Sequence, residues 1–280
     1  MPATAGRCLT RGSPPGVLFA DIAVDPISTS TVYVGANSGL FKRTDGGASW
    51  ASINAGLPPG AGVLSLAIDP FSPGTVYAGI SQNGVFKSTD GGLSWTAMNS
   101  GITFPSTCDL MIDPVSTSTV YASTCAAGDG VFRTASSGVS WSAVNSGLPV
   151  QQGFFNMMWI DARALAINSA NPSNLLVGLA TNGVYKSTNS GASWSASSSG
   201  LPAPVSIFKL AADPFTPSTI YAGTYLAGVF RSVDGGASWQ PTGGVAGAGT
   251  PPATSIVKVS GDGQQGAVGS LLAVPFVVAV

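Results

Sequence analysis

The chain has 280 residues, of which 44% are hydrophobic and only 8% are charged, and its formal net charge is −1. This length is enough for one large domain with an apolar core. With so little charge and no long basic run, we expect no nucleic-acid partner. No apolar stretch reaches the roughly 20 residues that span a bilayer, and residues 1–20 lack the apolar segment of a signal peptide.

Two residue types that carry much of enzyme chemistry are missing. The sequence contains no His, and all 12 acidic residues are Asp. The commonest general base and the commonest metal ligand are therefore absent. No zinc spacing, phosphate-binding loop, dinucleotide fingerprint or EF-hand occurs either. We expect no metal and no cofactor, and a catalytic site would have to use Asp, Tyr, Ser, Lys or Arg.

After the N-terminal tail, residues 1–20, the chain repeats with a period of 45 to 53 residues, which five tryptophans mark. Each unit has four short β-rich runs separated by Gly, Pro, Asp and Ser turns. This pattern predicts an all-β propeller of five four-stranded blades, either a closed five-blade ring or an arc of a larger propeller. The propeller is expected over 21–250, with repeats at 21–63, 64–106, 107–161, 162–206 and 207–250.

The first run of each unit is apolar on both faces. In the first repeat, for example, Ala23 alternates with Ile22 and Val24. A small face that meets a large face suits stacked blades. We therefore expect both faces of every first strand to be buried.

The third turn of each unit is the most specific motif. Ser88-Thr-Asp90-Gly-Gly92-Leu-Ser-Trp95 matches the pattern S-x-D-x-G-x-x-W, and so does the segment from Ser232 to Trp239. The motif resembles the Asp box, or BNR repeat, of sialidase-like and sortilin-like propellers, and the resemblance covers about residues 21 to 245. In that family the box is structural and lies away from the ligand site.

The resemblance therefore implies a structural role for the box residues of all five copies. Arg43 replaces the first Ser in copy one, and Ser136 and Asn189 replace the Asp in copies three and four. We expect these turns to persist with weaker capping. The box residues are Asp45, Gly47, Trp50, Ser88, Asp90, Gly92, Trp95, Gly138, Trp141, Asn189, Gly191, Trp194, Ser232, Asp234, Gly236 and Trp239.

Two sets of equivalent polar positions are candidate sites. Asp21 and Asp109 begin the first strands of repeats one and three, near one mouth of the channel, where Ser65, Ala164 and Lys209 are their equivalents. They are weak candidates for the carboxylate pair of a glycoside hydrolase, and a structural role is favoured. A second set, expected to be solvated, follows Phe or Tyr in every third strand: Lys42, Lys87, Arg133, Lys186 and Arg231.

Two of the three cysteines lie in the third repeat. Cys108 starts its first strand and Cys125 ends its second, at equal distances from the centre of the hairpin between them. In simple two-strand register they sit opposite one another, within reach of a disulfide. We expect this bridge, with a pair of reduced thiols in a cytosolic protein as the alternative. A bridge would indicate an oxidising compartment.

The one break in the repeat lies between copies three and four. The extra segment, from Val150 to Arg163, is rich in aromatic residues and Met. Insertions on one face of a repeat array often form the binding face. Phe154, Phe155 and Trp159 are therefore the candidate ligand-binding residues, for a sugar ring or a peptide. The alternative is a longer first strand that packs into the core.

After Pro252 the pattern changes and no further box occurs. The segment from Ser260 to Gly266, followed by Val268-Gly-Ser-Leu and a Val-rich run, resembles the first strands of a bacterial immunoglobulin-like domain of the invasin and intimin kind. The domain expected over 251–280 would continue beyond Val280 in a longer polypeptide. A degenerate sixth blade is the alternative.

The functional expectation is a noncatalytic extracellular or cell-surface module that binds carbohydrate or protein, or acts as a scaffold. The resemblance also allows a glycoside hydrolase of the sialidase-like or xyloglucanase-like kind. A third alternative is an assembly factor for a membrane complex. Fold alone does not choose among them.

Overall fold

The computed structural model describes residues 17–44, 49–103, 105–126, 128–152, 158–242, 257–258 and 278–279. These residues contain strands and no helix, and they form five four-stranded antiparallel sheets. The predicted propeller of five four-stranded blades is confirmed. Within the described ranges, no helix is long and apolar enough to cross a membrane.

The strands of the five blades follow one another along the chain without exchange between blades. Blade 1 has β1 (Phe19–Val24), β2 (Val32–Ala36), β3 (Gly39–Arg43) and β4 (Ala51–Ser52); blade 2 has β5 (Val63–Ile68), β6 (Val76–Ile80), β7 (Gly84–Ser88) and β8 (Thr96–Ala97); blade 3 has β9 (Thr107–Ile112), β10 (Val120–Thr124), β11 (Gly130–Thr134) and β12 (Ser142–Ala143); blade 4 has β15 (Ala162–Ile167), β16 (Leu175–Leu179), β17 (Gly183–Ser187) and β18 (Ser195–Ala196); blade 5 has β19 (Ile207–Ala212), β20 (Ile220–Thr224), β21 (Gly228–Ser232) and β22 (Gln240–Pro241).

Two short pairs lie outside the blades. In the insertion, β13 (Gln151–Gln152) pairs with β14 (Met158–Trp159). Near the C-terminus, β23 (Val257–Lys258) pairs with β24 (Val278–Ala279). Both pairs are antiparallel.

The first strand of each blade lies next to the first strand of the following blade, so these strands surround the axis. Each begins with a register shift, as between Phe19 and Asp21 in β1 or Thr107 and Asp109 in β9. A bulge adds local twist and re-aims a side chain. It thereby places the residue after the bulge at the mouth of the channel, which is where the sequence predicts the set that starts with Asp21.

The turn between the third and fourth strands of a blade is here called the box turn, and in blades 2 to 5 it joins the blade to the preceding one. Trp95 of blade 2 is 4% exposed, and its Nε1 donates to the carbonyl of Ile53 in blade 1, at 2.8 Å. The equivalent tryptophans of blades 3 to 5 donate to Met98, Val144 and Ser197. The interfaces between blades are therefore both apolar and hydrogen-bonded.

The expectation that the cations of the third strands are solvated is wrong for blades 1 and 2. Lys42 Nζ donates to the carbonyl of Gly91 in the next box turn, at 2.8 Å, and lies over the ring of Tyr33. Lys87 makes the same contacts with Ser137 and Tyr77. Desolvation by burial lowers the pKa of Lys87. The sequence could not show this, because the acceptor is a backbone carbonyl of another repeat.

The expectation that both faces of every first strand are buried is wrong for blade 1. Ile22 and Val24 are 47% and 49% exposed, whereas Leu66, the counterpart of Ile22 in blade 2, is buried. On blade 5, Val229 is exposed, although its equivalents in the other four blades are buried. Strands β19 and β1 lack the close packing that joins the other neighbouring first strands. Two faces are therefore not covered by described residues: the face of blade 1 that no described blade precedes, and the face of blade 5 that no described blade follows.

The structure joins Cys108 to Cys125 by a disulfide with a Cα–Cα distance of 5.9 Å. The simple register behind this expectation is wrong, because Thr107 pairs with Thr124 and Asp109 with Ser123. Cys108 is the extra residue of the bulge. The two cysteines are still neighbours, because the bulged Cys108 lies between the partners of Ser123 and Thr124, and Thr124 precedes Cys125 in the chain.

Candidate functional site at the mouth of the channel

The two ends of the propeller differ in what they present. At one end, here called the mouth face, hairpin tips between second and third strands meet the connectors that enter the next blade. Gly84 donates to Pro105 there, and Ile160 donates to Gly128. The box turns lie at the opposite end of the third strands. The insertion and the starts of the first strands therefore share one face.

The predicted set at the strand starts meets at the mouth face. Lys209 Nζ of blade 5 lies 3.1 Å from Asp109 Oδ1 of blade 3. Asp109 Oδ2 accepts from the backbone N–H of Leu165 in blade 4, and Asp21 Oδ2 accepts from Leu66 in blade 2, both at 2.8 Å. Each carboxylate thus holds the following blade, since its acceptor oxygen bonds a neighbouring first strand.

The electrostatics of this cluster follow from burial and from the shared lysine. Burial raises the pKa of Asp21, and the charge of Lys209 opposes that rise. Burial alone would lower the pKa of Lys209, but Asp109 and Asp21 together raise it. Because the two carboxylates share one cation and bond backbone groups, their arrangement favours a structural role over that of a free catalytic pair.

Three buried hydroxyls in this region lack a hydrogen-bond partner in the described structure: Ser65, Thr107 and Ser123. Ser65 is the equivalent of Asp21 in blade 2. Buried hydroxyls of this kind commonly bond ordered water. The mouth of the channel therefore offers polar positions beyond the charged cluster.

The insertion builds a groove beside blade 3. Half-buried Trp159 lines it together with Met158, which is 67% exposed, and Val150. Its volume is about 480 Å³. Of the three predicted ligand residues, the structure places Trp159 in this groove, whereas Phe154 and Phe155 lie outside the described residues.

The polar side of the groove comes from blade 3. Asp129 and Ser142 line it, and Thr103 Oγ1 bonds Asp129 Oδ2. Asn145 donates to the carbonyl of Asp129 and accepts from the N–H of Val131, at 2.8 Å. The backbone of Asp129 also forms an isolated parallel β-bridge with Ile160 of the insertion. Trp159 and Asp129 thus line the same groove, and the backbone of Asp129 is held from both sides.

Sequence reasoning missed two aromatic residues on this face. Phe208 and Tyr225 of blade 5 are 47% and 58% exposed, and their ring centroids are 5.6 Å apart. Arg163 lies over Phe208 at 4.9 Å and pairs with Asp161. Both aromatic residues stand at positions where other repeats carry smaller residues, such as Leu64 and Ser81 in blade 2. That departure from the repeat was the available signal.

The box turns have structural geometry. Asp90 Oδ1 accepts from Ser88 Oγ and from the N–H of Ser94, and Gly92 N–H donates to Ser88 Oγ at 2.8 Å. The hydroxyls of Ser94 and Ser88, which both donate to the carboxylate, hold the pKa of Asp90 well below its usual range. Asn189 reproduces the pattern in blade 4. Asp234 makes the same bonds in blade 5, while Asp45 and Gly47 lie outside the described residues.

The comparisons with known proteins agree with this architecture. The family model of the DUF6242 beta propeller domain matches residues 27–247. The chain belongs to the DUF6242 beta propeller family. No curated protein matches the chain. The groove and the charged cluster both lie largely within the residues that define the DUF6242 domain here.

Solved structures resemble this DUF6242 domain in fold. The GH74 xyloglucanase of Xanthomonas campestris has a TM-score of 0.65 at 20% identity, over 80% of this chain and 38% of that one. The GH74 enzyme of Niastella koreensis has 0.60 at 21%, over 79% and 38%. The extracellular domain of a hybrid two component system from B. thetaiotaomicron has 0.53 at 13%, over 81% and 33%. The chain spans under two fifths of the length of each.

Proposed function

We propose that this DUF6242 domain is a noncatalytic binding module whose ligand occupies the groove beside blade 3. The observation that carries the proposal is the insertion. It is the one interruption of a regular repeat, and its Trp159 lines the same groove as Asp129. Loops on a rigid scaffold are where binding residues concentrate.

The chemistry of the groove favours a carbohydrate. An indole ring offers a flat apolar surface for the C–H face of a sugar, and its N–H remains a donor. Asp129 and Ser142 supply acceptors and a donor for hydroxyl groups beside that surface. A small number of polar groups in an otherwise apolar cleft is typical of ligand sites. A peptide is the second ligand class that this groove would suit.

A calorimetric titration tests the proposal. Soluble gluco-, xylo- and xyloglucan oligosaccharides are titrated into the protein, and then into Trp159→Ala. We expect saturable binding that weakens at least about tenfold in the variant, about 1.4 kcal/mol. Leu93→Ala, on an exposed box turn, is the control and should bind unchanged. Equal binding by all three proteins would place the ligand elsewhere.

We propose no catalytic role for Asp21 and Asp109. Each carboxylate bonds the backbone of another blade, and Asp109 also binds Lys209. The expected result is no turnover of xyloglucan or of an aryl sialoside. Turnover that disappears in Asp21→Asn or Asp109→Asn would instead assign a glycoside hydrolase.

We further propose an extracellular or cell-surface location. The bridge between Cys108 and Cys125 supports it, because disulfides persist in oxidising compartments. The resemblance of 251–280 to an immunoglobulin-like domain supports it as well. The pairing of β23 with β24 is compatible with two strands of such a domain. One free thiol in protein isolated without reductant is the expected result, and three free thiols would remove the support that the bridge gives to this location.

A further inference from the structure

Each blade has a side that faces the following blade, and the residues on this side repeat from blade to blade. In blades 1 to 4, the second residue of the third strand packs against the following blade and has no exposed surface: Leu40, Val85, Val131 and Val184. The fifth member of this set is Val229, which is 38% exposed. Blade 5 therefore carries the same surface as the other blades, but no described residue covers it.

The polar contacts repeat in the same way. The hydroxyls of Tyr33, Tyr77 and Tyr121 donate to a carbonyl in the next box turn, at 3.1 to 3.3 Å. Each of these tyrosines is 1% exposed. Their equivalent in blade 5 is Tyr221, which is only partly buried and has no hydrogen bond to a described residue. Its neighbour Arg231 is exposed.

The backbone completes the set. In blades 2 to 5, the box-turn tryptophan donates from Nε1 to the residue that follows the fourth strand of the preceding blade. In blade 5 that residue is Thr242, since its N–H donates to Val229 as the N–H of Ile53 donates to Leu40. No described tryptophan reaches Thr242. We name the surface formed by Tyr221, Val229, Arg231 and Thr242 the blade 5 socket.

We propose that the blade 5 socket binds one more box-turn blade, as a sixth neighbour in the same ring. Its turn carbonyl would accept from Tyr221 and Arg231, its tryptophan would donate to Thr242, and its first strand would cover Val229. The surface continues the pattern of the four interfaces of this chain. All four share the tryptophan bond and the buried third-strand residue. Three share the tyrosine bond, and two share the bond from a third-strand lysine to a turn carbonyl. The proposal concerns architecture and does not rest on the function proposed for the groove.

The chain itself supplies a blade for the test. Residues 54–98 form one complete period, because Ile53 and Met98 make equivalent bonds to Leu40 and Val85. A second copy of 54–98 is inserted directly after Thr242. The occupancy of the socket is read from the rate at which a thiol reagent modifies Val229→Cys in a Cys8→Ser background. Leu93 is 72% exposed, so Leu93→Cys gives the modification rate of a thiol on an uncovered surface.

The expected result is that the inserted blade slows modification of Val229→Cys at least about tenfold and leaves Leu93→Cys unchanged, because burial restricts access to the thiol. A matched insertion carrying Ser88→Ala and Trp95→Ala within the inserted copy should protect much less. A second insertion, a copy of 198–242, guards against a blade that fails to fold. Both extended chains are required to melt cooperatively with the circular dichroism of β-sheet.

Two outcomes would overturn the proposal. One is unchanged modification in both folded extended chains, which would mean that the socket does not accept a box-turn blade. The other is protection of Val229→Cys in the chain without an insertion that increases with protein concentration. That would assign the socket to a second copy of the protein, and ultracentrifugation would then show a matching dimer.

Discussion

The charged side chains at the mouth are held by groups from other blades, so their effects on stability should differ in size. Asp21 bonds two backbone N–H groups, and burial raises its pKa. Asp109 is the carboxylate that lies 3.1 Å from Lys209. An amide can still accept the backbone bond, but it cannot neutralise a lysine.

We therefore expect Asp109→Asn to lower the free energy of unfolding by about 1 kcal/mol, because the side chain of Lys209 is 42% exposed and water partly screens the lost charge pair. Asp21→Asn should change stability much less, since neutralising it removes a desolvation cost and keeps an acceptor. Urea unfolding at pH 7 measures both. A larger loss for Asp21→Asn than for Asp109→Asn would contradict this assignment.

The box-turn carboxylates of Asp90 and Asp234 predict a dependence on pH. Hydrogen bonds hold the pKa of each below its ordinary value of 3.8. A carboxyl whose pKa is depressed on folding stabilises the protein above its unfolded pKa, and this contribution is lost as pH falls through the folded pKa.

The double variant Asp90→Asn and Asp234→Asn, which copies the natural Asn189 of blade 4, should therefore lose less stability than the parent between about pH 4 and pH 2. Denaturant unfolding at both pH values measures the difference. Equal losses in the two proteins would show that these carboxylates do not carry the acid sensitivity. The control is Asp25→Asn, a half-buried turn residue outside the box turns.

At the scale of elements, the sequence predicted the strands and turns because each repeat carries the information locally. One repeat of about 45 residues contains the apolar runs, the Gly-rich turns and the box motif. The contacts that could not be predicted join different repeats through backbone carbonyls, as between Lys42 and Gly91. The caps at Asn54, Asn99 and Asn145, which accept from the third strand of their own blade, were visible as a periodic Asn.

The tryptophans of the box turns offer a matched test of the interfaces between blades. Trp194→Phe removes the Nε1 bond to Val144 inside an interface, while Trp50→Phe alters a tryptophan that has no described blade before it. We expect Trp194→Phe to lower the free energy of unfolding by about 1 kcal/mol more than Trp50→Phe does, because this is the net contribution of a buried hydrogen bond. Chemical denaturation gives both values, and equal losses would contradict the difference in their surroundings.

The bridge in blade 3 makes a direct chemical prediction. Of the three cysteines, Cys108 and Cys125 are expected to be paired, so denatured protein isolated without reductant should show one free thiol. Removing the bridge with Cys108→Ser and Cys125→Ser should cost about 3 kcal/mol of stability, since it closes a loop with a sequence separation of 17. Three free thiols would contradict the bridge and weaken the proposed location.

At the scale of the whole molecule, the five blades form a scaffold with distinct ends. The box turns stabilise one end, while the mouth face holds the charged cluster, the insertion groove, and the exposed pair Phe208 and Tyr225. The repeat identified the insertion as the exceptional segment, because it breaks the period. Neither the groove nor its polar side could be predicted, since Asp129 and Ser142 come from a different part of the repeat.

The most direct test of the proposed binding site observes the indole N–H groups by NMR. The protein has six tryptophans, and those of blades 2 to 5 have their indoles hydrogen-bonded between blades. On titration with xyloglucan oligosaccharides, we expect a saturable shift of the Trp159 indole signal, assigned with Trp159→Phe. The signals of Trp95, Trp194 and Trp239 should stay in place, because these residues do not line the groove, whereas Trp141 lines it and is not a control. An unmoved Trp159 signal alongside a bound oligosaccharide would contradict the proposed site.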